Sequence, residues 1–418
     1  MTLERTETIC VVGLGYIGLP TAVVLARAGY QVIGMDVSDH HVNAVNRGEL
    51  PFVEAGLGEV VAEQVRAGRL RATKEMPAAR AYIVAVPTPF KGENHEADLS
   101  YIEAASRSIA PQLQGDELII LESTSPPGST EFMAEVILSE RADLSLDGSE
   151  GRPVVHFAHC PERVLPGRIM EEMVSNDRIV GGLSTLAAER ARDLYSSFCE
   201  GEIVLTDART AELAKLAENS FRDVNIAFAN ELSLLCEKLG IDVWELISLA
   251  NRHPRVNILN PGPGVGGHCI AVDPWFIVSA VPEQSRLIRT AREVNDSKPG
   301  FVVEQVRTAV AGQDAPVIAA FGLAFKANID DLRESPAVGI VAELAAQLPH
   351  ARVLAVEPHV SELPRQLAGL KNVELVSAQA AVEVADVAVL LVDHAAFAPL
   401  AAELPAGLPV VDTRGFWR

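Results

Sequence analysis

The chain has 418 residues, 48% of them hydrophobic, and a formal net charge of -21 at pH 7. That length calls for two or three domains with a sizeable core. The acidic balance argues against nucleic acid or an anionic membrane as a partner, though a local basic pocket for an anionic substrate stays open. No apolar run approaches the ~18 residues of a membrane span, and the start, Met1 to Glu7, carries both signs of charge, unlike a signal peptide. The five cysteines, Cys10, Cys160, Cys199, Cys236 and Cys269, show no CxxC or Cys/His metal spacing. The expectation is a reducing cytoplasm, with no structural disulfide and no bound metal.

Residues Thr8 to Val12 read as an apolar strand running into Gly13-Leu14-Gly15-Tyr16-Ile17-Gly18, followed by a helix to Ala28 and a second strand, Gln31 to Met35, ending in Asp36. This is GxGxxG in its strand–turn–helix setting with an acid closing the next strand. Gly13, Gly15 and Gly18 permit the turn, the approach of a pyrophosphate and tight helix–strand packing. The helix start offers unpaired N–H groups to phosphate. Asp36 suits the adenosine ribose and repels a 2′-phosphate, so NAD is expected over NADP.

Strands at Ala81–Val86 and Glu117–Glu122 lead into Val86-Pro87-Thr88-Pro89 and Ser123-Thr124-Ser125-Pro126-Pro127-Gly128-Ser129-Thr130. Both place hydroxyl groups at strand ends, where open α/β sheets bind ligands, although polar turns alone have the same look. A strand Val154 to Ala158 precedes Cys160-Pro161-Glu162-Arg163-Val164-Leu165-Pro166-Gly167. From about Asp207 to Leu239 the pattern is helical, without Pro or Gly, and Gly240 stops it. On that helix Lys215, Asn219 and Arg222 share a face. A solvated polar stripe would look alike, but the Ala and Leu content elsewhere predicts that this face lines a site.

Pro261 to Phe276 reads Pro-Gly-Pro-Gly-Val-Gly-Gly-His-Cys-Ile-Ala-Val-Asp-Pro-Trp-Phe. A lone cysteine is more often a small core residue than a nucleophile. Cys269, however, stands among Gly262, Gly264, Gly266 and Gly267, with His268 before it and Asp273 after it. A glycine-rich loop presents a side chain better than it buries one, so Cys269 is the candidate nucleophile. A second α/β unit follows, with strands at Val317–Phe321, Arg352–Val356, Val387–Val392 and Pro409–Val411. The expected architecture is α/β, two Rossmann-like domains joined by a long central helix, with a dinucleotide-binding domain over 1–205, a helical domain with the cysteine loop over 206–300, and a second Rossmann-like domain over 301–418.

The strings Cys160 to Gly167, Glu218-Asn-Ser-Phe-Arg-Asp-Val-Asn225 and Pro261 to Phe276 resemble the nucleotide-sugar 6-dehydrogenases of the UDP-glucose/GDP-mannose dehydrogenase family, across essentially the whole chain. They look most like the branch that acts on UDP-N-acetyl-D-mannosamine. The resemblance implies a four-electron oxidation at carbon 6 of a UDP-sugar to the uronate, consuming two NAD, for bacterial surface polysaccharide. It makes Cys269 the nucleophile, with Lys215, Asn219 and Asp273 orienting water or stabilising an oxyanion. Glu162 becomes the base for thioester hydrolysis. It further implies NAD contacts at Tyr16, Ile17, Asp36, Thr88, Thr124, Thr130 and Arg333. UDP-sugar contacts fall at Arg163, Val164, Lys215, Asn219, Arg222, His253, Arg255, Gly266, Phe325, Lys326 and Arg414. A homodimer or larger homo-oligomer with shared active sites is implied, Arg255 reaching the neighbouring subunit.

Val272 stands where UDP-glucose dehydrogenases carry Lys, and Pro166 where they carry a second Glu; both favour a different sugar. Ala327 and Arg414 replace the Pro and Lys of close relatives, Arg414 keeping the charge. UDP-N-acetylglucosamine or another UDP-hexose is the alternative substrate. A two-electron dehydrogenase of the 6-phosphogluconate type would need neither the cysteine loop nor the residues after Val317. A sensing or scaffold protein would be expected to have lost Cys269, Lys215 or Asn219.

Overall fold

Short apolar strands alternating with helices call for parallel sheets covered on both faces. The structure, a computed structural model, describes residues 4–52, 54, 56–92, 95–164, 167–267 and 269–418. Leu165, Pro166 and His268, singled out in the sequence, lie outside the described residues. The chain divides into two compact units, Met1–Glu218 and Asn219–Arg418. The division falls inside a helix of 32 residues, Ala208–Leu239.

In the first unit the strands are β1 (Thr8–Val12), β2 (Gln31–Met35), β3 (Leu70–Thr73), β4 (Ala81–Val84), a small hairpin of β5 (Phe90–Lys91) and β6 (Glu96–Ala97), then β7 (Leu118–Leu121), β8 (His156–His159), β9 (Arg178–Gly182) and β10 (Ile203–Asp207). The main sheet has the order β10-β9-β8-β7-β4-β1-β2-β3. Its pairs are parallel except β8 with β9. Chain order reverses between β1 and β4, which is the switch point where such sheets open a crevice for a ligand. Side chains alternate between two buried layers: Ile9 and Val11 enter one, Cys10 and Val12 the other.

The second unit repeats the scheme. Strands β11 (Val317–Phe321), β12 (Arg352–Val356), β13 (Val373–Leu375), β14 (Val387–Leu390) and β15 (Val410–Asp412) form an all-parallel sheet of order β13-β12-β11-β14-β15. Ile318 and Ala320 face one core layer, Ala319 and Phe321 the other. The helix Arg286–Ala309 accompanies this unit and carries Pro299 in its interior.

The strands expected at Thr8–Val12, Gln31–Met35, Val317–Phe321 and Arg352–Val356 have those bounds. Others are shorter or shifted, as where Val154–Ala158 becomes His156–His159. The sequence did not reveal β3, β9, β10 or β13. Arg71, Arg178, Glu202 and Glu374 interrupt the apolar run within or beside them, which hides the strand signal.

The first turn explains its glycines by space. A Cβ on Gly18 would lie 1.9 Å from the Gly13 carbonyl oxygen, whereas one on Gly15 would meet nothing within 4 Å. Gly18→Ala should therefore cost about 2 kcal/mol or more through overpacking, and Gly15→Ala only about 0.5 kcal/mol or less without ligand. Thermal melts of the unliganded proteins check this. Equal falls in melting temperature for the two variants would contradict it.

Candidate functional site

The first unit builds a dinucleotide turn. After Gly13, the Leu14 amide donates to Asp36 Oδ2 at 2.7 Å and the Ser38 amide to Oδ1 at 2.8 Å. His41 Nδ1 lies 3.1 Å from the same Oδ2. The acid at the end of β2 is thereby fixed with one-tenth of its side chain open. The helix Gly18–Arg27 begins after Ile17 with no side-chain cap, and a Cβ on Gly15 would meet nothing within 4 Å, an arrangement that suits phosphate at a helix start. Tyr16 stacks on Phe52 with ring centroids 4.2 Å apart. An open main chain, an uncapped helix start and a fixed acid are what a dinucleotide's pyrophosphate and ribose require, so these residues fit NAD.

At neighbouring strand ends, Thr88 Oγ1 donates to the Thr124 carbonyl at 2.5 Å, and both residues are half-buried. Thr130, expected at the cofactor, is fully buried. Its hydroxyl and amide both donate to Glu212 Oε1, at 2.6 and 2.8 Å, while the Gly128 amide donates to Oε2 at 2.6 Å. Glu212 thus caps the helix Ser129–Glu140 from another element. Burial pushes Glu212 up to about 7, against the pull of those hydrogen bonds. Its role was not legible because its partner lies 82 positions away.

Glu162 is buried: Arg178 Nη2 donates to its Oε2 at 2.9 Å and the Arg163 amide to Oε1 at 2.8 Å. Arg163 turns its guanidinium to Glu218 at 2.8 Å and to the Asp177 carbonyl. Val164 packs beside Val24, Ile169 and Met173. Beneath lies a second buried acid, Glu122, which accepts from Thr21 at 2.8 Å and Tyr195 at 2.9 Å. Lys215 is half-buried on the long helix.

The second unit holds the cysteine loop. Cys269 is exposed. Its carbonyl accepts from the Asp273 amide at 2.8 Å, and Asp273 opens the helix Asp273–Ala280. Asn219 Nδ2 donates to Asp273 Oδ2 at 2.5 Å, with both residues buried. The glycines are in close contact with the residues expected at the UDP-sugar. A Cβ on Gly267, where φ is +85°, would sit 3.1 Å from the Phe325 ring; one on Gly266 would sit 3.1 Å from Phe325 Cβ; and one on Gly262 would sit 2.6 Å from Arg414 Nη1. Arg414 Nε is held by Asp393 at 2.9 Å. The structure therefore gathers Asn219, Gly266, Cys269, Asp273, Phe325 and Arg414 in this unit. Arg222, His253, Arg255 and Lys326 are exposed. Arg222 does not share the burial of Asn219, because the buried polar face of the helix continues through Asp223 and Asn230. Arg333, expected at the cofactor, belongs to this second unit and pairs with Asp331.

Glu357, His359 and His394 bring possible metal-ligand atoms within 4.8 Å of one another. Their hydrogen bonds give a different account. His394 Nδ1 accepts from the Asn328 amide at 3.0 Å, leaving Nε2 to donate to Glu357 Oε2 at 3.0 Å. That oxygen also takes the Leu323 and Ala324 amides, and Oε1 the His359 amide. The knot holds the turn after β11, and with both ring nitrogens of His394 engaged it is a poor metal site.

Models of the UDP-glucose/GDP-mannose dehydrogenase family match in order: the NAD binding domain over residues 7–199, the central domain over 209–297 and the UDP binding domain over 319–418. The chain belongs to this family. It is an NAD-dependent dehydrogenase. An NDP-N-acetyl-D-galactosaminuronic acid dehydrogenase of Ralstonia nicotianae is 56% identical over 412 residues, 98% of this chain and 96% of the relative. A UDP-N-acetyl-D-mannosamine dehydrogenase of Escherichia coli is 56% identical over 420 residues, 98% of this chain and 99% of the relative. The solved UDP-D-ManNAc dehydrogenase of Pyrococcus horikoshii superposes with a TM-score of 0.85 at 38% identity, covering 98% of this chain and 96% of that one. None of the helices among the described residues is long and apolar enough to cross a membrane.

The buried acids give a pH signature. Burial first, then the Glu162 charge, pushes Glu122 up to about 7 from 4.5, against Arg178, Thr21 and Tyr195. The folded unit keeps a proton that the unfolded chain has lost. This contribution is complete below the unfolded value and disappears as pH rises through about 7. Glu122→Gln, neutral throughout, should flatten the fall in melting temperature between about pH 5 and 7.5, Glu212 supplying the part that remains. An unchanged profile would show that Glu122 is not the group that titrates.

Proposed function

We propose that the chain oxidises carbon 6 of UDP-N-acetyl-D-mannosamine to UDP-N-acetyl-D-mannosaminuronate, in a reducing cytoplasm and for surface polysaccharide. The observation that carries this reading is the exposed Cys269 next to the buried Asn219–Asp273 pair, in a chain matched end to end by N-acetylhexosamine enzymes. Bound NAD supplies the hydride acceptor for each of two oxidations. The first turns the alcohol into an aldehyde. The Cys269 thiolate then adds to the aldehyde carbon, and its oxygen becomes the anion of a thiohemiacetal. Collapse of that oxyanion expels hydride and leaves a thioester. Water attacks the thioester, releasing the carboxylate and returning the thiol. Lys215 and the Asn219 amide serve the oxyanion, Asp273 fixes that amide, and Glu162 takes the proton of the attacking water.

Equal identity to an N-acetylgalactosaminuronate enzyme supports a second reading, the same chemistry on the galacto epimer. A panel of UDP-N-acetyl-mannosamine, -galactosamine and -glucosamine with UDP-glucose, followed by NADH formation, separates them. The highest kcat/KM is expected for UDP-N-acetyl-D-mannosamine, and Cys269→Ser should stop at the aldehyde. Preference for UDP-glucose, or acid formed by that variant at the parent rate, would overturn the reading.

We infer that the chain assembles as a homo-oligomer. Phe221, Phe228 and Leu235 recur every seven residues on the long helix and are 71%, 53% and 50% exposed. A heptad seam of this kind is covered by a second helix, and a symmetry mate is the commonest source. Arg255, exposed beyond the helix Val243–Ala250, would then serve the neighbouring subunit's nucleotide sugar. Phe228→Asp should shift the mass measured by light scattering from oligomer to monomer. An unchanged mass would place the interface elsewhere.

A further inference from the structure

The cysteine loop has few side chains of its own to hold it. Gly262, Gly264, Gly266 and Gly267 contribute only main chain. Its position must be set by hydrogen bonds to that main chain and by what packs against it. Near its far end, Asn219 holds Asp273, whose amide is bonded to the Cys269 carbonyl. At its start, the Gly262 amide donates to Asn230 Oδ1 at 2.9 Å. Asn219 and Asn230 lie on the same helix, eleven positions or about 16 Å apart at 1.5 Å per residue. Two amides on one rigid rod thus bracket Cys269.

An asparagine amide can present either its oxygen or its NH2 group, so Asn230 needs something to orient it. Asn230 Nδ2 donates to Asn295 Oδ1 at 2.8 Å. Asn295 Nδ2 in turn donates to Asp223 Oδ1 at 2.8 Å and to the Asp223 carbonyl at 3.1 Å. Arg292 Nη1 pairs with the same carboxylate at 2.5 Å, and its Nη2 with Asp296. Asp223, Asn230, Asn295 and Arg292 are each at most 1% exposed. An ionised carboxylate can only accept. It therefore demands the NH2 group of Asn295, which turns the Asn295 oxygen to Asn230. That in turn demands the NH2 group of Asn230 and turns its oxygen to Gly262. The two ends set the direction of every bond between them: the Gly262 N–H can only donate, and the Asp223 carboxylate and carbonyl oxygens accept from Asn295.

We propose that Asn230 and Asn295 are positioning residues for the second oxidation, fixing through Gly262 the loop that delivers Cys269 to the aldehyde. The proposal rests on Cys269 being the nucleophile. Neither asparagine touches the reacting atoms; each acts through the main chain of the loop. Loosening the loop should spare the first oxidation, which needs no thiol, and harm the second, which does.

The test uses the full-length protein with UDP-N-acetyl-D-mannosamine and NAD, hydroxylamine to trap aldehyde, and iodoacetamide to report on Cys269. Asn230→Ala should lower acid formation at least tenfold, release trapped aldehyde, and change the alkylation rate of Cys269, with KM for NAD unaltered. Asn295→Ala should do the same in milder form, and is the informative variant if Asn230→Ala does not fold. The double variant should resemble Asn230→Ala rather than the product of the two effects, because both residues act in one chain. Parent ratios of acid to aldehyde and a parent alkylation rate in the folded variants would overturn the proposal. So would a parallel loss of both oxidations, NAD affinity and melting temperature, which would mark the relay as structural only. Failure of the underlying reading is separate: Cys269→Ser would then still make acid.

Discussion

A thiol can attack an aldehyde only if its approach is fixed, and a run of glycines fixes nothing by itself. The second unit meets this constraint by fastening the loop to the helix Ala208–Leu239, through Asn230 at Gly262 and through Asn219 at Asp273. Packing adds to it: Pro299 and Pro336 close on Gly264, and Phe325 on Gly267.

The two units repeat one local design and use it differently. After β1, the Leu14 amide bonds to the acid that closes β2; after β11, the Leu323 amide bonds to the acid that closes β12. In the first unit that acid, Asp36, keeps part of its side chain open. In the second, Glu357 is closed in completely, with His394 bonded to it. The same strand–turn–strand frame thus offers an acid at its surface in one half, and in the other spends it on holding the turn that leads to Phe325.

Where the sequence was legible, the signal was local and repeated. The first turn declares itself through glycines at fixed spacing, and the cysteine loop through four glycines around one thiol. The strands that escaped notice, β3 and β9 among them, carry arginines such as Arg71 and Arg178. Arg178 is a buried partner of Glu162, so its charge serves an ion pair while obscuring a strand. On the long helix the reading from Lys215 through Asn219 to Arg222 drifted off the buried face. Continuing by the helical repeat from Asn219 would have reached Asp223 and Asn230. What no local pattern could supply was the pairing of Asn230 with Asn295 or of Thr130 with Glu212, because those contacts exist only once distant segments have folded together.

The central claim is that the oxidation passes through a covalent bond to the loop cysteine. Rapid acid quench of the working enzyme with UDP-N-acetyl-D-mannosamine and NAD, followed by peptide mass spectrometry, tests it most directly. The account predicts a transient acyl adduct of the UDP-hexosaminuronoyl group on the peptide containing Cys269, appearing before the free acid. Acid formation with Cys269 unmodified at every time point, or the adduct on Cys199 instead, would contradict it.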